Sequence, residues 1–229
     1  MKINRFPSSL AVLSFTFATT LLPLSASDFY SGVASTVAQS SEFYAGSNLT
    51  QGSGSGFDAA EPHNQLGGGG GGYTWVTNAS GNDYYDAGGG IGPTPIILFD
   101  LGSDVLLSEI STWGYADSNA NGASDFSLRF ATSAQGLGGF GATIADQTGF
   151  VAGFAYGLRD SNPLTTNVTA RYVEMTITDN YFGSAPGGQP GGDRVGLGEV
   201  AFAQIPEPSS LALVGLAGLG LLRRRRRNC

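Results

Sequence analysis

Residues 28–205 contain 33 of the chain's 36 glycines, about 19% of that segment, against an average near 7%. A glycine inside a helix costs roughly 0.5–1 kcal/mol relative to alanine. A segment this rich in glycine leaves little room for long helices. The excess follows no three-residue period, which excludes a collagen-type triple helix. The chain is 41% hydrophobic and carries 14 Phe and 9 Tyr, too apolar and too aromatic for a disordered polymer. The composition predicts short strands joined by glycine-rich loops. With 178 residues, the segment is long enough for one domain with its own core.

Charge narrows the function. Residues 28–205 hold 17 acids and four bases, Arg129, Arg159, Arg171 and Arg194, a balance of −13 with no lysine. Nucleic-acid binding through phosphate neutralisation needs clustered Lys and Arg, so it is excluded for this body. The one cysteine, Cys229, is the last residue, which rules out an intrachain disulfide and a Cys-based zinc site. His63 is the only histidine and excludes a His-rich metal centre or a two-histidine relay.

The two ends read as addresses. Lys2 and Arg5 form a positive n-region, Leu10 to Leu24 an apolar h-region, and Ser25-Ala26-Ser27 a small-residue cleavage site. Residues 1–27 are thus a signal peptide; an uncleaved anchor is the alternative. At the other end, Pro206-Glu207-Pro208 precedes a Gly/Ala/Leu-rich segment, Ser209 to Leu222, and then Arg223, Arg224, Arg225, Arg226 and Arg227. Those 14 apolar residues are fewer than the ~20 of a straight span, so the helix is a marginal one, extended by snorkelling arginines. The arginine cluster sets that end in the cytoplasm. Residues 206–229 form a separate segment, and 206–227 resemble the PEP-CTERM sorting signal of bacterial exported proteins. The resemblance implies processing near the triplet by an exosortase-type membrane protease, in a bacterium with an outer membrane that makes exopolysaccharide. The product would reach the periplasm, cell surface or extracellular matrix. An ordinary tail anchor would give the same topology without processing. Cys229 would be lost on cleavage and carries no role.

Within residues 28–205 the hydrophobic period is mostly two. Pro95 to Leu101 is an apolar run closed by Gly102. Leu106 to Trp113 follows it. Phe126, Leu128 and Phe130 alternate with Ser127 and Arg129, and Val173, Met175 and Ile177 with Glu174 and Thr176. Val195 to Phe202 closes the domain. Turn clusters such as Asp117 to Gly122 and Pro186 to Gly192 separate these runs. The pattern predicts an all-β fold, a single antiparallel β-sandwich of jelly-roll type. A signal helix and a transmembrane helix flank it.

The order of the strands resembles the discoidin-like, or galactose-binding-like, jelly roll. The matching pieces are Ser40-Ser41-Glu42 before Asn48 to Gly54, then Thr74-Trp75, then Ile97 to Gly102 with Leu107 to Ile110. Phe126 to Ser133, Ala170 to Val173 and Gly196 to Val200 complete the series. The resemblance implies a structural calcium held near Gln51 and Glu199. Gln51 stands where the family commonly carries Asp, which removes a charge from a site that favours carboxylates.

Other candidates have bland readings beside sharp ones. Asp117-x-Asn119-x-Asn121-Gly122 matches half a calcium loop, but Leu128 stands where the bidentate Glu belongs, so a polar turn is expected. Tyr84 and Tyr85, flanked by Asp83 and Asp86, are expected in a loop where they would stack on sugar faces; alternating burial is the other reading. Tyr115 is a second loop candidate. Trp75 and Trp113 belong to the core. Gly67 to Gly72 lacks the helix start and lysine of a phosphate loop. Arg171 is expected to pair with Glu174 or Asp193. Asn48, Asn78 and Asn167 head N-x-S/T triplets, which the bacterial signals leave without a glycosylation reading.

No nucleophile-elbow motif surrounds His63, and 17 acids make a carboxylate pair uninformative. The leading expectation is a non-enzymatic, exported carbohydrate-binding protein. Its partners would be an exosortase-type protease, an extracellular polysaccharide and, before processing, the membrane. The alternatives are a matrix component without a small-ligand site and a hydrolase acting on polysaccharide.

Overall fold

The computed structural model describes residues 28–30, 33–50, 74–80, 83–85, 93–116, 119–155 and 158–205. The expected signal and sorting helices, Gln51, His63, the six-glycine run and Asp117 lie outside them.

The described chain is all β, with antiparallel pairing between every named pair of strands. The strands are β1 (Asp28–Phe29), β2 (Ala34–Gln39), β3 (Glu42–Tyr44), β4 (Trp75–Thr77) and β5 (Ile96–Trp113). They continue with β6 (Asp125–Ala131), β7 (Gln147–Val151), β8 (Arg159–Ile177), β9 (Gly196–Leu197) and β10 (Glu199–Gln204). Seven of them form one sheet in the order β1-β10-β5-β8-β6-β7, with β2 also on β5; β3-β4-β9 form a smaller one.

The large sheet becomes a sandwich because β5 and β8 fold over together. The first half of β5 pairs with β2, the second half with β10, and β8 pairs with both halves. Phe99 lies in the first half. Phe202 of β10 sits opposite Ile110 in the second half, eleven residues on. A straight strand would separate the two by roughly 35 Å. Their rings are 5.1 Å apart and edge-on, so the strand turns back and its halves face each other across the core.

The turn is a bulge. Asp100 pairs with Tyr172 and Val105 with Ala170, so four residues of β5 oppose Arg171 alone. Gly102 sits at φ +76°, a conformation open to glycine and costly for other residues. A second irregularity lets residues 164–167 of β8 loop out opposite Ser108. There Gln147 accepts from Thr165 N at 2.7 Å and donates to Thr166 O at 3.0 Å, which satisfies the interrupted ladder.

The expected alternations hold. Phe126, Leu128 and Phe130 are buried, as are Val173, Met175 and Ile177, while Ser127, Arg129, Glu174 and Thr176 are half-exposed. Trp75 and Trp113 are both fully buried. Trp113 belongs to a second, small cluster with Phe29, Ala201 and Ala203. Arg159 closes that face, its guanidinium 4.6 Å from the Phe29 ring and paired with Glu109.

The sandwich therefore has two unlike ends. One is the bend at residues 101–104. The other gathers the start of β5, the end of β8 and the loops after β5, β7 and β8.

Candidate functional site

The loop end is held together by backbone polar groups. Asn121 is the central clamp. Its Oδ1 accepts from Gly192 N at 2.5 Å and Arg194 N at 3.2 Å, and its backbone oxygen accepts from Gly196 N at 2.8 Å. Asn119 Oδ1 accepts from Asn121 N at 2.9 Å, an Asx turn. Asn180 Nδ2 donates to Gly192 O and Arg194 O at 2.9 and 3.0 Å. Asn119 and Asn121 are consumed in shaping loops, as the polar-turn reading expects.

These clamps present Arg194. Its Nη1 donates to Thr77 O at 3.2 Å, and its guanidinium lies 4.5 Å from the Phe43 ring centroid, a cation–π distance. Phe43 is 55% exposed, and its centroid is 4.8 Å from that of Tyr44. Arg129, Arg159 and Arg171 all form ion pairs. Among the described residues no carboxylate pairs with Arg194. A fixed fork of N–H donors thus lies over one face of the Phe43 ring, and the rest of that ring is exposed.

A second feature lies beside the start of β8. Asp160, opposite Thr112, packs so closely on Gly153 that a Cβ there would overlap its carboxylate. Desolvation by burial raises its pKa. Nearby, Tyr181 donates its hydroxyl to Ala152 O at 2.6 Å, and its ring meets Phe154 edge-on at 5.0 Å. Asp160 offers an acceptor to hydroxyl-bearing ligands beside two aromatic rings.

The tyrosines expected in exposed loops sit differently. Tyr84 is 1% exposed, donates its hydroxyl to Pro93 O at 2.9 Å, and donates its backbone N–H to Gly192 O at 2.7 Å. Tyr85 is half-buried and donates to Ile177 O at 2.9 Å; the two rings meet edge-on at 5.3 Å. Burial raises the pKa of both phenols. Tyr115 is 8% exposed and lies against Gly196. Burial raises its pKa first; Tyr44 and Asp193 push the same way and Arg194 opposes them. Tyr84 and Tyr85 follow the alternating-burial reading, with Tyr84 in the core and Tyr85 half-buried, and Tyr115 is buried too: their hydroxyls find backbone acceptors or their rings meet glycine. Arg171 pairs with Asp100 and not with Glu174 or Asp193; Glu174 is taken by Arg129.

Glu199 opens β10 opposite Trp113 and is 3% exposed. Among the described residues no group of three or more His, Cys, Asp or Glu side chains converges. Around Glu199 the described residues do not supply the several carboxylates that calcium favours. A shallow cleft between β2 and the 3-10 turn Gly46–Thr50 is lined by Val37, Glu42 and Gly46, and there the Glu42 carboxylate is taken by Gly46 N at 2.6 Å.

Comparison with solved structures returns carbohydrate-binding modules of family 32. A truncated AlyQ with family 32 module and alginate lyase domains matches with TM-score 0.47 and 19% identity. That match covers 79% of this chain and 34% of the other, so this chain spans about a third of it. The isolated AlyQ module, in complex with 4,5-unsaturated mannuronic acid, gives 0.46 and 19%, over 76% and 96% of the two chains. The module of C. perfringens NanJ, in complex with galactose, gives 0.45 and 8%, over 75% and 93%. No protein of curated function matches the sequence. Residues 204–227 match the PEP-CTERM protein-sorting motif.

Proposed function

We propose that this chain is an exported, non-catalytic carbohydrate-binding protein, sorted through a membrane-anchored intermediate that an exosortase-type protease processes. The observation that carries the binding part is the exposed Phe43 ring with Arg194 fixed over one face of it. Sugars present C–H faces and hydroxyl edges. The exposed part of the ring takes the first, and guanidinium N–H groups take the second. The sorting part rests on the C-terminal motif and the signal-like N-terminus.

The test is a glycan array probed with the folded 28–205 segment, with calcium and with chelator. Saturable binding that Phe43→Ala abolishes supports the reading. Binding lost in chelator alone assigns a role to calcium. A folded sample that binds no polysaccharide overturns it in favour of a matrix component without a small-ligand site.

A further inference from the structure

The two ends of the described chain leave the fold at one corner. Asp28 pairs with Gln204 and Phe29 with Ala203. Paired residues in such a ladder have Cα atoms about 5 Å apart. Gln204 in turn sits opposite Leu107, and Ile205 N donates to Leu106 O at 2.9 Å. Leu106 adjoins the bend of β5. The other end of β10, Glu199, lies opposite Trp113 at the loop end. The sheet thus remains hydrogen-bonded up to Ile205, at the end opposite Phe43 and Arg194.

The sequence allows almost no spacer after that point. Three residues, Pro206, Glu207 and Pro208, separate Ile205 from the apolar segment that starts at Ser209. Four extended steps reach at most about 14 Å. A headgroup layer takes roughly 5–7 Å of that on each side of the hydrocarbon. The bend end is therefore held within about 10 Å of the headgroups while the anchor is in the membrane. The six residues of β10 separate the loop end from Ile205 by roughly 20 Å.

We propose that in the anchored intermediate the bend end, around Gly102 and Ser103, is a membrane-facing surface against the lipid headgroups, and that the loop end with Phe43 and Arg194 points away from the bilayer. The partner is the lipid surface of the protein's own membrane. The arrangement leaves the candidate ligand end open to polymer before processing. The inference rests on the anchored intermediate proposed above and is independent of what the loop end binds.

The experiment uses the full chain in a host without the sorting protease, so that the intermediate accumulates. Cys229→Ser removes the native thiol. Ser103→Cys then marks the bend end and Ser184→Cys the loop end; both serines are exposed. Spheroplasts are treated with a bulky, impermeant PEG-maleimide and the labelling rates compared. The expected result is several-fold slower labelling at residue 103 than at 184. The difference should vanish in detergent. It should also vanish when a Gly/Ser spacer of about twelve residues, roughly 40 Å extended, follows Ile205. Equal rates in spheroplasts overturn the orientation while leaving the anchor standing. Slow labelling at residue 103 that persists in detergent also overturns it, because the protein and not the membrane then shields the site. Recovery of the chain in the soluble fraction overturns the anchored reading itself.

Discussion

Arg171 grips Asp100 with two guanidinium nitrogens, Nε to Oδ1 at 2.8 Å and Nη2 to Oδ2 at 3.1 Å, across the bend where β5 folds back. Asp100 Oδ1 also accepts from Gly102 N at 2.7 Å. One carboxylate thus ties the bulge to the strand opposite. The Arg171 hydrogen bond holds the Asp100 pKa below its ordinary value, with burial opposing. A depressed carboxylate stabilises the fold above its unfolded pKa, about 3.9, and loses that contribution as pH falls through the lower folded value. Asp100→Asn should lower the melting temperature near pH 7 and flatten its fall on acidification. Thermal melts across the acid range measure this. A variant with the wild-type slope would show that the pair contributes nothing, as many exposed pairs do.

Asp160 has the opposite sign. Desolvation raises its pKa, so its contribution is fully present below the unfolded value and is lost as pH rises through the folded one. The carboxylate destabilises the fold at neutral pH. Asp160→Asn keeps the shape and removes the charge. It should raise the melting temperature near pH 7 and give no gain at strongly acidic pH. Paired melts at the two pH values decide it; a lower melting temperature at neutral pH would mean that the charge holds the loop.

The strands that alternate cleanly, such as Asp125 to Phe130 and Arg171 to Ile177, were legible because period two and burial coincide. The join of Pro95–Leu101 to Leu106–Trp113 was not. Gly102 punctuates the run as a turn would, yet it is a bulge inside one 18-residue strand. The first half of β8 was hidden because Arg159 to Pro163 is polar and contains a proline, and its pairing to β5 is a tertiary fact. At the site, adjacent Tyr84 and Tyr85 between acids looked like a loop platform. Nothing local shows that Pro93 O and Ile177 O accept their hydroxyls. The Phe43-Tyr44 pair carried the same local signal, and Arg194 was one of only four bases in the body. Their meeting depends on pairing along β3, β4 and β9, separated by over a hundred residues.

Asn121 links the fold to the site. Removing its side chain leaves Gly192 N and Arg194 N without their acceptor. Each buried donor left unmade costs about 1–3 kcal/mol. Asn121→Ala should destabilise the domain by an amount of that order and loosen the segment that carries Arg194. Denaturant titration gives the first effect. Amide exchange over residues 190–196 gives the second, and should rise there more than in β6 or β8. Uniform loss of protection would mean that Asn121 acts on the whole fold only.

The last prediction separates the two aromatic pairs at the loop end. Phe43 is open and stacked with Arg194; Tyr84 is enclosed with its hydroxyl bonded to Pro93 O. A sugar ring can reach the first and not the second. Phe43→Ala should weaken binding to the best array glycan at least about tenfold, equivalent to 1.4 kcal/mol, with little loss of stability because the ring is exposed. Arg194→Gln should weaken binding while leaving Phe43 in place. Tyr84→Phe should leave affinity unchanged and lower stability, since it strands a backbone oxygen. Isothermal titration and denaturant melts on the same three variants read both quantities. Should Tyr84→Phe lose affinity while Phe43→Ala keeps it, the ligand enters between the loops, toward the core, and the outer ring is not its platform.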